Sequence, residues 1–188
     1  MKIYTRGGDR GKTALIGGER RLKSDHRIEA YGSVDEAGAF IGFAVSMMTE
    51  ESLADIAAVL VDVSQTLWDV GADLAAPQSA TNYIFRTSED AAAKLEPLID
   101  DYKVQADEVK RFILRGGHRV AAAIQVACTV VRRAERRAVA LMDEEDVPPQ
   151  VVRYLNRLSD LLFVLARTVN ARMHQAEITY HNSTDVFR

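Results

Sequence analysis

The sequence predicts an all-α fold, on three observations. Apolar residues recur at alternating steps of four and three through several long stretches, the spacing of a helix that buries one face. Helix signals punctuate those stretches, with Asp25 placed to cap one and Pro77 to end another. The chain of 188 residues, 47% hydrophobic and 27% charged, fits a single domain over 1–188 with a sizeable core.

The elements follow in order. Residues 1–25 form an irregular loop, because Gly7, Gly8, Gly11, Gly17 and Gly18 break every period. A bundle is expected over 26–173. Its first helix runs from His26 to Met48 on the seam Ala30, Val34, Ala37, Ile41, Ala44 and Met48. Beside that seam lies a line of small residues with one carboxylate, Asp35, flanked by Gly38 and Gly42. The second helix carries Leu53, Ile56, Leu60, Val63, Leu67, Val70 and Leu74, and reads as core scaffold with no chemistry, Trp68 included. After a loop over 77–86, Thr87 or Ser88 starts a shorter helix to about Lys103, which Pro97 kinks or frays. Residues 111–118 read as an extended segment entering a glycine turn.

A long helix follows on the seam Val120, Ile124, Ala127, Val131, Ala134, Ala138 and Leu141. The acidic DEEDVPP stretch reads as a solvated loop, and a last helix spans about 150–173. The tail, 174–188, has no period, which fits either a disordered segment or one lying on a neighbour.

Composition excludes several classes. No run of eighteen or more apolar residues and no secretory leader pattern is present, so no membrane span is expected and the default compartment is cytoplasmic. One cysteine and four scattered histidines lack metal-ligand spacing. Residues 1–25 carry seven Lys/Arg against three Asp/Glu within a chain of net charge -3, an end able to attract an anion. It lacks the interleaved aromatics of a nucleic-acid surface, so no nucleic-acid partner is expected.

Two places carry candidate chemistry. In Thr5–Thr13, TRGGDRGKT, glycines let backbone N–H groups approach a phosphate while hydroxyls and basic side chains bind its oxygens. Alone, that pattern fits a flexible basic terminus equally well. In Gln125–Arg137, QVACTVVRRAERR, four arginines and a glutamate flank an apolar seam. A solvated face laced with ion pairs is the commoner reading of such a helix. The small residues edging it and arginine's fixed fork of donors favour a planar anion or a phosphate.

TRGGDRGKT, the Lys23–Arg27 segment running into RIEAYGSVDE, FILRGG, RRAER and YLNRLSDLLFVLAR together resemble the PduO-type ATP:cob(I)alamin adenosyltransferases in order and spacing. The resemblance implies a five-helix bundle of up-down, ferritin-like packing that assembles as a homotrimer with active sites at subunit interfaces. It implies transfer of the 5′-deoxyadenosyl group of ATP to the Co(I) of a corrinoid (cobalamin), with triphosphate released. Mg²⁺ would sit mainly among the phosphate oxygens. A reductase and a cobalamin-dependent acceptor enzyme are the implied partners.

By the same resemblance, Thr5, Arg6, Gly7, Gly8, Asp9, Thr13, Ala14 and Lys23 hold the triphosphate, and Arg132, Arg133, Ala134, Glu135, Arg136 and Asn156 line the rest of the nucleotide site. Arg132, Phe112 and Asp35 are the catalytic candidates: Arg132 for charge on the leaving triphosphate, Phe112 for displacing the corrinoid's lower ligand, and Asp35 on the corrinoid side. The chain departs from the family at Cys128, where an arginine that pairs with the Asp35 carboxylate of a neighbouring subunit is usual, and at Gly38, Arg115 and His118 nearby. These departures point to a catalytically weakened relative, a delivery or sensing module, as the alternative.

Overall fold

The computed structural model describes residues 3–185, so the outermost residues of the predicted loop and tail, 1–2 and 186–188, lie outside the described residues. Five α-helices make the fold: α1 (His26–Ser46), α2 (Ala54–Leu74), α3 (Leu95–Lys103), α4 (Arg119–Met142) and α5 (Pro149–Arg172). Helix α1 packs on α4 and α2, α4 packs on α5, and α3 lies against α5. The short connections from α1 to α2 and from α4 to α5 make each pair antiparallel neighbours.

The seams read from the sequence are the core. Val34, Ile41, Leu60, Val70, Ile124, Val131, Leu141, Leu158 and Leu165 are all buried in one cluster. Asp25 accepts a hydrogen bond from the Arg27 N–H at 2.8 Å and starts α1 as expected. Pro149 opens α5, where its missing N–H would have had no helical partner.

Four expectations need correction. The N-terminal loop contains a short antiparallel ladder, β1 (Lys12–Ala14) against β2 (Arg20–Leu22), closed by Gly17 and Gly18, both at φ +89. The loop register is therefore fixed by backbone pairing that three-residue strands are too short to announce in sequence.

The third helix begins at Leu95, seven residues later than Ser88, behind a run of turns. Pro97 explains it. With no N–H to donate, Pro97 leaves the Ala93 carbonyl to the Glu96 N–H at 3.2 Å, a tighter turn than the α-helical one.

Residues 143–148 are more than a solvated loop. Arg27 is fully buried, and its guanidinium reaches Glu145 at 2.9 Å, the Leu74 carbonyl at 2.8 Å and the Asp146 carbonyl at 3.3 Å. Arg21, on β2, also pairs with Glu145. One carboxylate thus joins β2, the start of α1 and the α4–α5 turn, with the Arg27 fork adding the end of α2. The hydrogen bond from Arg21 is the first reason that the Glu145 carboxyl sits below its ordinary pKa, with Arg27 adding to it.

The tail pairs within the chain. Ile113 bridges Thr179, the Leu114 N–H donates to the Ile178 carbonyl at 2.7 Å, and the Tyr180 N–H donates to the Phe112 carbonyl at 2.8 Å. Residues 111–114 are extended as predicted, and the tail is what they pair with.

Candidate active site

The glycine-rich loop is a preorganised basic turn. Gly7 N–H donates to Thr5 Oγ1 at 3.3 Å, Gly11 N–H to the Gly8 carbonyl at 3.1 Å, and Lys23 N–H to the Gly11 carbonyl at 2.8 Å. Arg20 donates to the Gly7 carbonyl at 2.6 Å, so β2 holds the tip from beneath. A Cβ on Gly8 would lie 3.1 Å from Lys23 Nζ, so any larger residue would require the lysine head to shift off the turn. Arg6 takes the left-handed conformation at φ 59, an uncommon state for a residue with a side chain. Thr5, Arg6, Gly7, Asp9 and Ala14 are exposed and Thr13 is half-buried. At the other end, the Ile16 N–H donates to the Ala75 carbonyl at 3.0 Å and fastens the hairpin to the end of α2.

A second polar patch, with two arginines and two carboxylates, lies where α4 meets α5. Arg132, Glu135, Arg136, Asn156, Ser159 and Asp160 line an open cavity of about 400 Å³. Asn156 donates to Glu135 at 2.9 Å, Arg132 Nε reaches Ser159 Oγ at 3.4 Å, and Arg136 donates to the Arg132 carbonyl at 3.1 Å. No carboxylate forms an ion pair with Arg132 or Arg136 among the described residues. Two guanidiniums on rigid helices, with an amide and a hydroxyl beside them, form a ready receptor for an anion.

The remaining arginines of α4 behave differently. Arg133 pairs with Glu36 and Arg137 lies 3.6 Å from Glu29, both across the α1 interface. Ala134 is buried in the α4 seam, and the cavity contains neither Ala134 nor Arg133.

On the corrinoid side, Asp35 is exposed in the single chain. It borders a groove of about 710 Å³ between α1 and α2, together with Tyr31, Gly38, Trp68, Gly71 and Arg86. Trp68 is 76% exposed at its rim, which overturns its reading as scaffold. The helical period placed Trp68 one step off the Leu67 seam but gave no sign that this side stays uncovered. Phe112 is exposed on the extended segment beside the tail. Its segment leads to Gly117, at φ +100, where any Cβ would collide with the Asn170 amide that holds the turn. That amide accepts from the His118 N–H at 2.9 Å and donates to the Gly116 carbonyl at 3.0 Å.

Cys128 belongs to neither surface. It is fully buried, and its thiol lies 3.3 Å from the Ser159 carbonyl inside the α4–α5 interface. At this position the chain offers a buried thiol to the α4–α5 core in place of the family's arginine.

One chain therefore presents two candidate half-sites, the basic Thr5–Lys23 loop and the face formed by Arg132, Arg136 and Asn156. Arg21 ties the loop to the α4–α5 turn through Glu145, and the cavity beside Arg132 contains no residue of the loop. Sequence reasoning missed the supports of the loop, Arg20, Arg21 and Glu145. The excess of basic residues before position 25 hinted at Arg20 and Arg21, and nothing local hinted at Glu145.

The family model for cobalamin adenosyltransferase matches residues 3–169. The chain is 43% identical to the corrinoid adenosyltransferase of Bacillus subtilis (strain 168) over 189 residues, covering 100% of this chain and 96% of that one. Its fold is similar, at a TM-score of 0.95 and 40% identity over 99% of this chain and 100% of that one, to an F112H variant of the PduO-type ATP:corrinoid adenosyltransferase from Lactobacillus reuteri complexed with cobalamin and ATP. An R132K variant of the Lactobacillus reuteri protein complexed with ATP is similar at a TM-score of 0.88 and 38% identity, covering 95% of this chain and 100% of that one.

Proposed function

We propose the following division of labour from the premise that the chain belongs to the cobalamin adenosyltransferase family. The protein is an ATP:corrinoid adenosyltransferase, with ATP as co-substrate and the corrinoid as substrate. Co(I) supplies the electron pair that forms the Co–C5′ bond. The C5′–O bond breaks, and its pair leaves with triphosphate. The nucleophile needs no activation by the protein, so the chain's contribution is placement and charge stabilisation.

The observation that carries the residue assignment is the unpaired Arg132–Arg136 face beside Asn156, set on two packed helices. Arg132 stabilises the negative charge that develops on the leaving triphosphate, and Arg136, Glu135 and Asn156 orient the nucleotide. The loop from Thr5 to Lys23 wraps the triphosphate with backbone N–H groups and the Lys23 ammonium. Mg²⁺ belongs among the triphosphate oxygens, where it lowers the charge that the loop must balance. Phe112 and Asp35 serve the corrinoid, Phe112 by displacing its lower ligand.

The two half-sites stand apart in one chain, which supports a homotrimer in which the loop of one subunit meets the arginine face of the next. Head-to-tail pairing around a ring uses both halves in every copy. Asp35, exposed on the α1–α2 groove, would then face a neighbour, and buried Cys128 offers it no cation. A reductase that delivers the electron and an acceptor that uses the product complete the cycle.

Anaerobic turnover tests the reading. Chemically reduced cob(I)alamin, ATP and Mg²⁺ should yield adenosylcobalamin and triphosphate in equal amounts, and the absence of adenosylcobalamin under those conditions would refute the reading.

A further inference from the structure

Phe112 projects an aromatic ring at 57% exposure from a segment with no helix or sheet of its own, yet its backbone is tied at both polar groups. Its N–H donates to Ser183 Oγ at 2.8 Å, and its carbonyl accepts from the Tyr180 N–H at 2.8 Å. The Ser183 hydroxyl in turn donates to the Thr184 carbonyl at 2.8 Å, so it acts as acceptor and donor at once. The Ser183 N–H closes a turn onto the Tyr180 carbonyl at 3.0 Å, which brings both tail contacts to the same residue.

The clamp is referenced to the bundle. Arg167 of α5, only 7% exposed, holds Glu177 at the start of the paired tail with contacts of 2.9 Å and 2.7 Å. The same guanidinium donates to the Asp107 carbonyl at 2.6 Å, on the strand side of the ladder. One buried arginine thus fixes the spacing between the tail and the segment that carries Phe112.

We propose that Ser183 is a positioning residue for Phe112: the tail sets where the ring stands, and displacement of the corrinoid's lower ligand depends on that clamp. The proposal rests on the reading that Phe112 performs the displacement. An exposed ring on an unclamped segment would sample many orientations and would spend binding energy on being ordered. A clamped one meets the corrinoid already in place.

The test follows the coordination of bound cob(II)alamin by electron paramagnetic resonance, with saturating ATP and Mg²⁺, for the parent chain, Ser183→Ala, Ser183→Thr and Phe112→Ala. Ser183→Ala should lower the ratio of ligand-displaced to ligand-bound cobalt by about three- to tenfold, the effect of one hydrogen bond. Ser183→Thr, which keeps the hydroxyl, should restore it. The turnover deficit of Ser183→Ala should shrink when cobalt is supplied as Co(I), which carries no lower ligand. If Ser183→Ala matches the parent while Phe112→Ala loses displacement, the clamp is overturned and the role of Phe112 stands. If Phe112→Ala matches the parent, that role falls and the proposal falls with it.

Discussion

Arg132 and Arg133 are adjacent on α4, yet they meet different surroundings. Arg133 crosses to Glu36 on α1 and is balanced within the chain, as Arg137 is by Glu29. Arg132 turns to the α5 side, where its nearest polar partner is the Ser159 hydroxyl and its charge stays uncompensated. One step of about 100° around a helix separates an ion-paired face from a guanidinium without a carboxylate partner among the described residues. Charge on a helix says little until its neighbours are known: the ion-paired reading holds on the α1 side, and the Arg132 side is where the anion-binding reading is proposed.

The widest break in that comparison comes from Arg132→Ala, which should lower kcat by about 100- to 1,000-fold in anaerobic turnover while the thermal midpoint stays near the parent's. Arg132→Lys should recover little, because a point charge does not replace the fork. A kcat within a few-fold of the parent would remove Arg132 from transition-state stabilisation.

The next effect concerns the support of the loop. Glu145→Gln leaves buried Arg27 facing a neutral amide, and should cost about 2–4 kcal/mol of stability by denaturant unfolding. It should also raise KM for ATP more than for the corrinoid, since Glu145 holds Arg21 and the hairpin. The pH dependence has a definite sign. The Glu145 pKa is lowered in the folded state, so its stabilisation is fully present above its ordinary value of 4.5 and is lost as pH falls through the folded value. The parent's acid limb should therefore be steeper than that of Glu145→Gln. Parallel acid limbs would show that the cluster does not couple to protonation.

A smaller and opposite expectation holds for Arg133→Ala. Its pair with Glu36 is partly exposed, so stability should change by about 1 kcal/mol or less and kcat by no more than about threefold. A loss comparable to that of Arg132→Ala would join the two faces into one site. The smallest effect is expected at Cys128→Ala, where the thiol touches only the core, and turnover should stay within about twofold.

Much of this was legible in the sequence because it is local. The four-three seams found the helices, and Asp25 marks a start that a cap explains. What escaped depends on distant partners. Glu145 meets Arg27 across 118 positions, and no pattern near DEEDVPP points to it. Ile113 meets Thr179 in a single bridge, too short to leave an alternating signature. Trp68 shows the remaining limit, since a period tells which side of a helix is apolar and not what covers it. In the candidate site, residue types were readable from motifs, whereas the separation of the loop from the arginine face is a property of the packed chain.

That separation is the central claim, and mixed assemblies of two crippled chains test it most directly. Lys23→Ala damages the loop half and Arg132→Ala the helical half, and each alone should be nearly inactive. In a head-to-tail ring formed by co-expressing both, roughly a quarter of the interfaces join two intact halves, so activity should recover to roughly a quarter of the parent's. Activity no higher than the sum of the two separate variants would contradict the account and assign both halves of each site to a single chain.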